Sequence, residues 1–219
     1  MINIRDLYDL EYTLAGEYLE RFDYPWDIIS NLGDIILNLG QELNSDYREI
    51  SSGIWIHRNA AVANTAVLTS PCILGPGTEV RHCAYLRGSV LAGGGCVIGN
   101  STEVKNALLF DRVQLPHFNY VGDSILGYGA HLGAGAIISN LKADKGPVAI
   151  KLPDGEFSTG LRKLGALVGD FAEIGCNCVL NPGTVVGKFS SAYPGCCIRG
   201  FIPPRHIVKN NGCMVLREG

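Results

Sequence analysis

From Ile56 onward an aliphatic residue returns every six positions, at Ile56, Val62, Leu68, Leu74, Val80, Leu86, Ala92, Ile98 and Val104. A step of five leads to Leu109, Leu115 and Val121, and another to Leu126, Leu132 and Ile138. After an interruption the march resumes at Val168, Ile174, Leu180, Val186, Ala192 and Ile198. Gly often follows directly, as in "LG", "IG" and "VG". A helix does not tolerate that much Gly, and strand alternation has a period of two, so neither explains a period of six. The period predicts a β-solenoid, mainly β in class, in which each hexapeptide supplies a short strand and a turn. Aliphatics point inward, small residues let the chain corner tightly, and three hexapeptides per triangular coil give about seven coils.

The first 53 residues carry a different period. Leu7, Leu10 and Leu14 are spaced by three and four, and Asp23 with Pro25 is a candidate start for a second helix. Ile28, Ile29, Leu32, Ile35, Ile36, Leu39 and Leu43 form its apolar stripe. These residues predict an N-terminal helical hairpin over 1–53, ended by "SSG", that packs on the solenoid or on another subunit and carries no chemistry. The solenoid is expected over 54–207 and a short tail over 208–219.

The interruption at 140–166 is polar and rich in Gly and Pro, which predicts a protruding loop with a hairpin turning at "PDG". It carries Lys142, Lys145, Lys151, Arg162 and Lys163, a cluster that suits a phosphate as well as solvent. The formal net charge is -3 with no basic run, which argues against a nucleic-acid partner. No stretch approaches a membrane helix, and the acidic start does not read as a signal peptide. The eight Cys residues are scattered through apolar repeats, and "CNC" and "CC" are not zinc spacings. They are expected to be reduced thiols of a cytoplasmic protein, serving as small hydrophobes, with no metal in catalysis.

Every third hexapeptide lies one coil above the last, at the normal strand spacing of about 4.8 Å. The position two residues after the aliphatic on one face then reads Asn64, His82, Asn100, His117, Ala134, Cys176 and Pro194. On the next face, the position one residue after the aliphatic reads Arg87, Lys105, Gly122 and Ser139. Arg87 and Lys105 are thus expected one coil apart, where they repel unless an anion lies between them, with Glu103 partly offsetting them. In an acyl transfer, an amine must lose a proton as it attacks a thioester. A neutral His is a suitable base, which makes His117 the candidate. A backbone N–H beside a small residue, that of Ala134, would meet the tetrahedral oxyanion, and no nucleophilic Ser or Cys is required.

"IGNSTEVKNALL" followed by "LPHFNYVGDSILGYGAHLGAGAIISN" resembles the acetyltransferase domain of the bifunctional bacterial N-acetylglucosamine-1-phosphate uridyltransferases. It is more similar still to archaeal sugar-1-phosphate nucleotidylyltransferase/amino-sugar-1-phosphate acetyltransferases, which share the long loop and a "TGLRKLGA"-like segment. The resemblance covers roughly residues 70–205. It implies a left-handed parallel β-helix, an exception to the usual right-handed crossover, and a homotrimer with sites between subunits. It also implies acetyl transfer from acetyl-CoA to an amino-sugar 1-phosphate such as glucosamine- or galactosamine-1-phosphate. By the same resemblance His117 is the base, with Asn140 near the substrate amine. Arg87, Lys105, Tyr120, Lys145, Lys163 and His131 face the substrate, and acetyl-CoA lies against Ala134, Cys176 and Pro194.

This chain departs from the bacterial pattern at three of those positions: His131 replaces Asn, Cys176 replaces Ser, and Pro194 replaces Ala. The basic C-terminal arm gives way to "KNNGCMVLREG", and nothing resembles a nucleotidyltransferase phosphate loop. These departures keep open a non-catalytic alternative, a sugar-phosphate or nucleotide-sugar binding or structural trimer. A zinc site of the γ-carbonic anhydrase type, also built on such coils, needs three converging His, and Gly122 stands where the local His pair would close.

Overall fold

The computed structural model describes residues 2–218, so Met1 and Gly219, the outermost residues of the two expected terminal segments, lie outside it. The chain winds into a parallel β-helix with three faces. The first face runs from Ile54–His57 to Phe201–Ile202 and the second from Ala61–Val62 to His206–Val208. The third runs from Val67–Thr69 to Cys197–Ile198. The second face belongs to a 9-stranded sheet whose terminal strand, Met214–Leu216, is antiparallel, which leaves eight parallel strands. The third face has seven, so seven coils close fully and an eighth ends after two faces among the described residues.

The six-residue period places the aliphatics inside. Leu74, Val80, Leu86, Ala92, Ile98 and Val104 are buried in one continuous core, as are their equivalents up to Ile198. Phe118, the corner residue after His117, sits at φ +52° in the left-handed region, and Gly135 takes the same conformation one coil above. Parallel pairing continues without a break past the 140–166 loop, where Leu126 lies opposite Val168 and Ile138 opposite Leu180. The loop therefore leaves and rejoins the solenoid without disturbing its register. Its hairpin forms as expected, pairing Ala149–Leu152 with Gly155–Ser158 and turning at Pro153–Asp154.

The N-terminal region differs from a two-helix hairpin. Its one long helix, Ile28–Glu42, is preceded only by four-residue helical turns at Ile4–Leu7 and Gly16–Leu19 and by two 3-10 turns. Local side-chain bonds interrupt the first helix. Asn3 caps the start of Ile4–Leu7, but after it Asp9 and Thr13 each accept from the backbone N–H two residues on, a local bond where a helix would have to continue. Leu14 is accordingly exposed while Leu7 and Leu10 are buried. The second helix starts later than Asp23: Pro25 opens a 3-10 turn at Pro25–Asp27 that leads directly into it.

The Ile28–Glu42 helix buries its stripe against outward-facing residues of the first face, Ile73, Leu91, Leu108 and Ile125, in a second apolar cluster. Val148, Ile150 and Leu164 from the loop extend that cluster up the same face. Each fully buried Leu or Ile there contributes about 1.5–3 kcal/mol. Both solenoid ends are closed by antiparallel strands in segments expected to be helical or tail. Tyr47–Ser51 pairs with Ile54–His57, and Met214–Leu216 pairs with His206–Val208. They cover edges that would otherwise offer unpaired backbone groups to other chains. No helix among the described residues is long and apolar enough to cross a membrane.

Candidate active site

The corner between the second and third faces stacks residues as the six-residue register requires. Ser101 N–H donates to the His82 carbonyl at 3.4 Å and Phe118 N–H to Asn100 at 2.9 Å. Gly135 N–H donates to His117 at 3.0 Å, Asn177 N–H to Ala134 at 2.9 Å, and Gly195 N–H to Cys176 at 2.8 Å. His82, Asn100, His117, Ala134, Cys176 and Pro194 therefore form one column, and the pairing of Val62 with Val80 carries Asn64 beneath His82. The His117 side chain is exposed, and its ring has no hydrogen-bond partner among the described residues. The Ala134 N–H likewise meets no acceptor among them, although both neighbouring amides are bonded. A base and an unengaged backbone donor thus stand one coil apart.

Asn119 fixes that spacing. It is 2 % exposed, its Oδ1 accepts the His117 N–H at 3.2 Å, and its Nδ2 donates to Gly133 and Ala136 carbonyls at 2.8 and 3.3 Å. One buried amide therefore ties the His117 corner to the two ends of the Gly133–Ala136 turn that holds Ala134.

Arg87 and Lys105 lie on the third face, as expected, but neither waits unpaired for an anion. Arg87 forms an ion pair with Glu103 at 2.7 Å, and Lys105 with Asp123 at 3.3 Å. Both cations line a recess of about 350 Å³, and its other wall is the Ile28–Glu42 helix, through Ser30, Gly33 and Asp34. The segment expected to carry no chemistry therefore borders the candidate phosphate site. Tyr120 and Asn140 meet beside it, with Asn140 Nδ2 donating to Tyr120 Oη at 3.2 Å and to Asp123 Oδ2. Gly122 makes room for this pair, since a Cβ there would lie 2.6 Å from both Asn140 Nδ2 and Tyr120 Oη. Burial, with the negative charges of Asp123 and Glu103, pushes the Tyr120 phenol above its ordinary value against the opposing Asn140 bond and Arg87 charge. Tyr120 is thus a neutral hydrogen-bonding group throughout the physiological range.

Of the remaining candidates, Lys163 has its backbone beside the Tyr120 and Asn140 pair, since the next residue, Leu164, donates its N–H to the Asn140 carbonyl at 3.0 Å. His131 lies on the second face and pairs with Glu173 at 2.8 Å. Cys176 and Pro194 are exposed on the upper corner column. Lys145 and Lys163 are exposed on the loop, Lys145 at φ +58° and Lys163 in a backbone bridge with Leu141, and neither side chain forms an ion pair among the described residues. The loop instead overhangs a larger cleft of about 630 Å³, where Lys142 and Lys151 pair with Asp144 and Glu156. No group of three or more metal-ligating side chains occurs among the described residues.

Asn119, Asp123 and Asn106 escaped sequence reading. A signal for two of them exists: Ser89, Asn106 and Asp123 recur once per coil at a corner, each with φ near +50°. Short polar residues that tolerate this conformation mark such corners.

No protein-family model matches the chain. It is 30% identical over 222 residues to the bifunctional protein GlmU of Methanococcus maripaludis, covering 100% of this chain and 53% of that protein. It is 30% identical over 178 residues to the bifunctional sugar-1-phosphate nucleotidylyltransferase/acetyltransferase of Sulfurisphaera tokodaii, covering 80% of this chain and 44% of that protein. The chain thus spans about half the length of the curated relatives it matches. Among solved structures it aligns with the acetyltransferase domain of PglB from Neisseria gonorrhoeae in complex with acetyl coenzyme A, at 17% identity and a TM-score of 0.37 over 71% of this chain and 54% of that one.

Proposed function

From the premise that the chain is a relative of these bifunctional nucleotidylyltransferase/acetyltransferases, we propose that it is an N-acetyltransferase. It moves acetyl from acetyl-CoA to the amine of an amino-sugar 1-phosphate, glucosamine- or galactosamine-1-phosphate. The observation that carries the proposal is the stacking of an exposed, unpartnered His117 ring beneath the unengaged Ala134 N–H. Beside them, the next face presents Lys105, Tyr120 and Asn140.

In this mechanism neutral His117 takes a proton as the substrate amine attacks the thioester carbonyl, forming the C–N bond. The carbonyl oxygen becomes an oxyanion and receives the Ala134 N–H. Collapse of the tetrahedral intermediate breaks the C–S bond, and coenzyme A leaves as a thiol with the proton from His117. Arg87 and Lys105 hold the phosphate, with Glu103 yielding its place on Arg87, while Tyr120 and Asn140 orient the sugar. Cys176 and Pro194 continue the column along which acetyl-CoA lies. Lys163 stands beside Asn140 in the same chain, because the Leu164 N–H donates to the Asn140 carbonyl at 3.0 Å. Lys145 and His131 make no contact with this constellation among the described residues, and their assignment to substrate rests on a homotrimer that brings them to a neighbour's site.

The test is thiol release from acetyl-CoA across glucosamine-1-phosphate, galactosamine-1-phosphate and their nucleotide-linked forms. Turnover on a 1-phosphate is the expected result. Binding of these ligands with no thiol release on any of them identifies the second reading, a non-catalytic sugar-phosphate or nucleotide-sugar binding protein, which the departures at Cys176 and Pro194 favour.

A further inference from the structure

Asp123 is a buried carboxylate, 4 % exposed, at a corner with φ +49°. Burying a charge is unfavourable unless it is paired and fully hydrogen-bonded. Three side chains from neighbouring coils supply those partners. From the coil below, Lys105 Nζ lies 3.3 and 3.4 Å from the two carboxylate oxygens, and Asn106 Nδ2 donates to Oδ1 at 2.8 Å. From the coil above, Asn140 Nδ2 donates to Oδ2 and also reaches Tyr120 Oη. Asn106 Nδ2 is shared a second time, with the Ile29 carbonyl of the Ile28–Glu42 helix at 3.2 Å.

The two ion pairs of the recess are unequal. Arg87 and Glu103 are 43% and 34% exposed, so solvent screens their attraction and Glu103 is free to swing aside. Asp123 is only 5% exposed at its side chain and is held by three donors, so it stays in place. Lys105 therefore keeps its ammonium beside Asp123 whether or not an anion arrives, with N–H groups left over for that anion.

We propose that Asp123 is a positioning residue: it orients Lys105 toward the acceptor's anion and Asn140 toward the sugar. Through Asn106 it also ties both to the helix that walls the recess. Its effect on turnover rests on the acetyltransferase assignment above, but its effect on Lys105 does not.

The experiment reads both. An ammonium fixed to a buried carboxylate exchanges its protons slowly and gives a persistent signal in lysine side-chain NMR. In the wild-type protein one such signal is expected to vanish in Lys105→Met, distinguishing it from that of Lys188, which pairs with buried Asp170 at 3.1 Å. The same signal is lost in Asp123→Asn. A wild type with no Lys105 signal, or a signal unchanged in Asp123→Asn, overturns the proposal, and the wild-type spectrum decides alone if that variant does not fold.

In thiol-release kinetics Asp123→Asn is expected to raise the acceptor KM at least about 10-fold with kcat within about 3-fold. The Asp123→Asn, Lys105→Met double variant should fall within about 2-fold of Lys105→Met alone, as two residues acting through one contact require. An unchanged acceptor KM in Asp123→Asn also overturns the positioning role. A wild type that turns over no amino-sugar phosphate defeats the acetyltransferase assignment, and the ammonium signal then still decides whether Asp123 holds Lys105.

Discussion

His117 and Asn119 are two residues apart and do opposite jobs. His117 projects from the corner with a free ring, whereas Asn119 turns inward and spends its amide on three backbone groups. Replacing His117 by Ala is expected to lower kcat by about 100-fold or more, the usual range for a lost general base, with unchanged thermal unfolding. Thiol release and calorimetry on the same sample check it, and retained turnover would remove His117 from the mechanism. Asn119→Ala should act on stability instead. It leaves the His117 N–H without its acceptor, while the Gly133 and Ala136 carbonyls keep the backbone N–H groups of Ala136 and Tyr120, and a loss of about 1–3 kcal/mol is expected in urea unfolding. The outward direction of His117 was legible because a strict six-residue count fixes which positions leave the core. The inward direction of Asn119 and the burial of Asp123 were not, since a polar residue in "HFNYVGD" reads as turn or surface until the coils above and below are stacked on it.

At the scale of elements, the Ile28–Glu42 helix was legible because seven apolar residues recur at helical spacing, and six of them are buried as expected. The segment before it was not, because side-chain bonds at Asp9 and Thr13 act residue by residue and break the spacing that Leu7, Leu10 and Leu14 share. The closing strands Tyr47–Ser51 and Met214–Leu216 lack the repeat that identifies their partners, so only the finished edge calls for them. Leu32, fully buried under the helix, is expected to cost about 2–4 kcal/mol when cut to Ala, while exposed Leu37 should cost under about 0.5 kcal/mol, both read by urea unfolding. The N-terminal segment is also pinned by Asp170, which accepts from the Asp9 and Tyr128 N–H groups at 2.8 Å and pairs with Lys188. Burial raises the Asp170 carboxyl above its ordinary value despite those bonds. The folded state therefore takes up a proton before the unfolded state does as pH falls. The stability of the wild type relative to Asp170→Asn should widen from neutral pH down toward about 4, the ordinary carboxylate value. Urea unfolding of both proteins at neutral pH and near 4.5 measures the gap, and a gap that narrows contradicts this sign.

The whole molecule distributes its apolar surface unevenly. The first face is covered by the chain's own helix and loop, whereas the third carries an outward stripe of Val67, Tyr85, Tyr120, Ile137 and Val179 that only Glu103 interrupts among these coils. Val67, Tyr85 and Val179 on it are 55%, 41% and 38% exposed, and Cys197 continues it. This stripe lies between the His117 corner and the Arg87–Lys105 edge, so a neighbour packed on it would also wall the candidate site. The proposed homotrimer supplies such a neighbour, and it accounts for the separation of His131 and Lys145 from the other substrate residues of their own chain. Three chains of 23.5 kDa, about 70 kDa, are expected in sedimentation velocity. Val179→Glu places a charge on the stripe but off the candidate site, where a desolvated, unpaired carboxylate opposes association while the monomer keeps it in water. The variant is expected to sediment as a folded monomer with thiol release reduced by about 10-fold or more, because each site loses the wall and the side chains its neighbour contributes. A Val179→Glu monomer with wild-type turnover would show that one chain holds a complete site, and the roles of His131 and Lys145 would fall with the shared site that requires them.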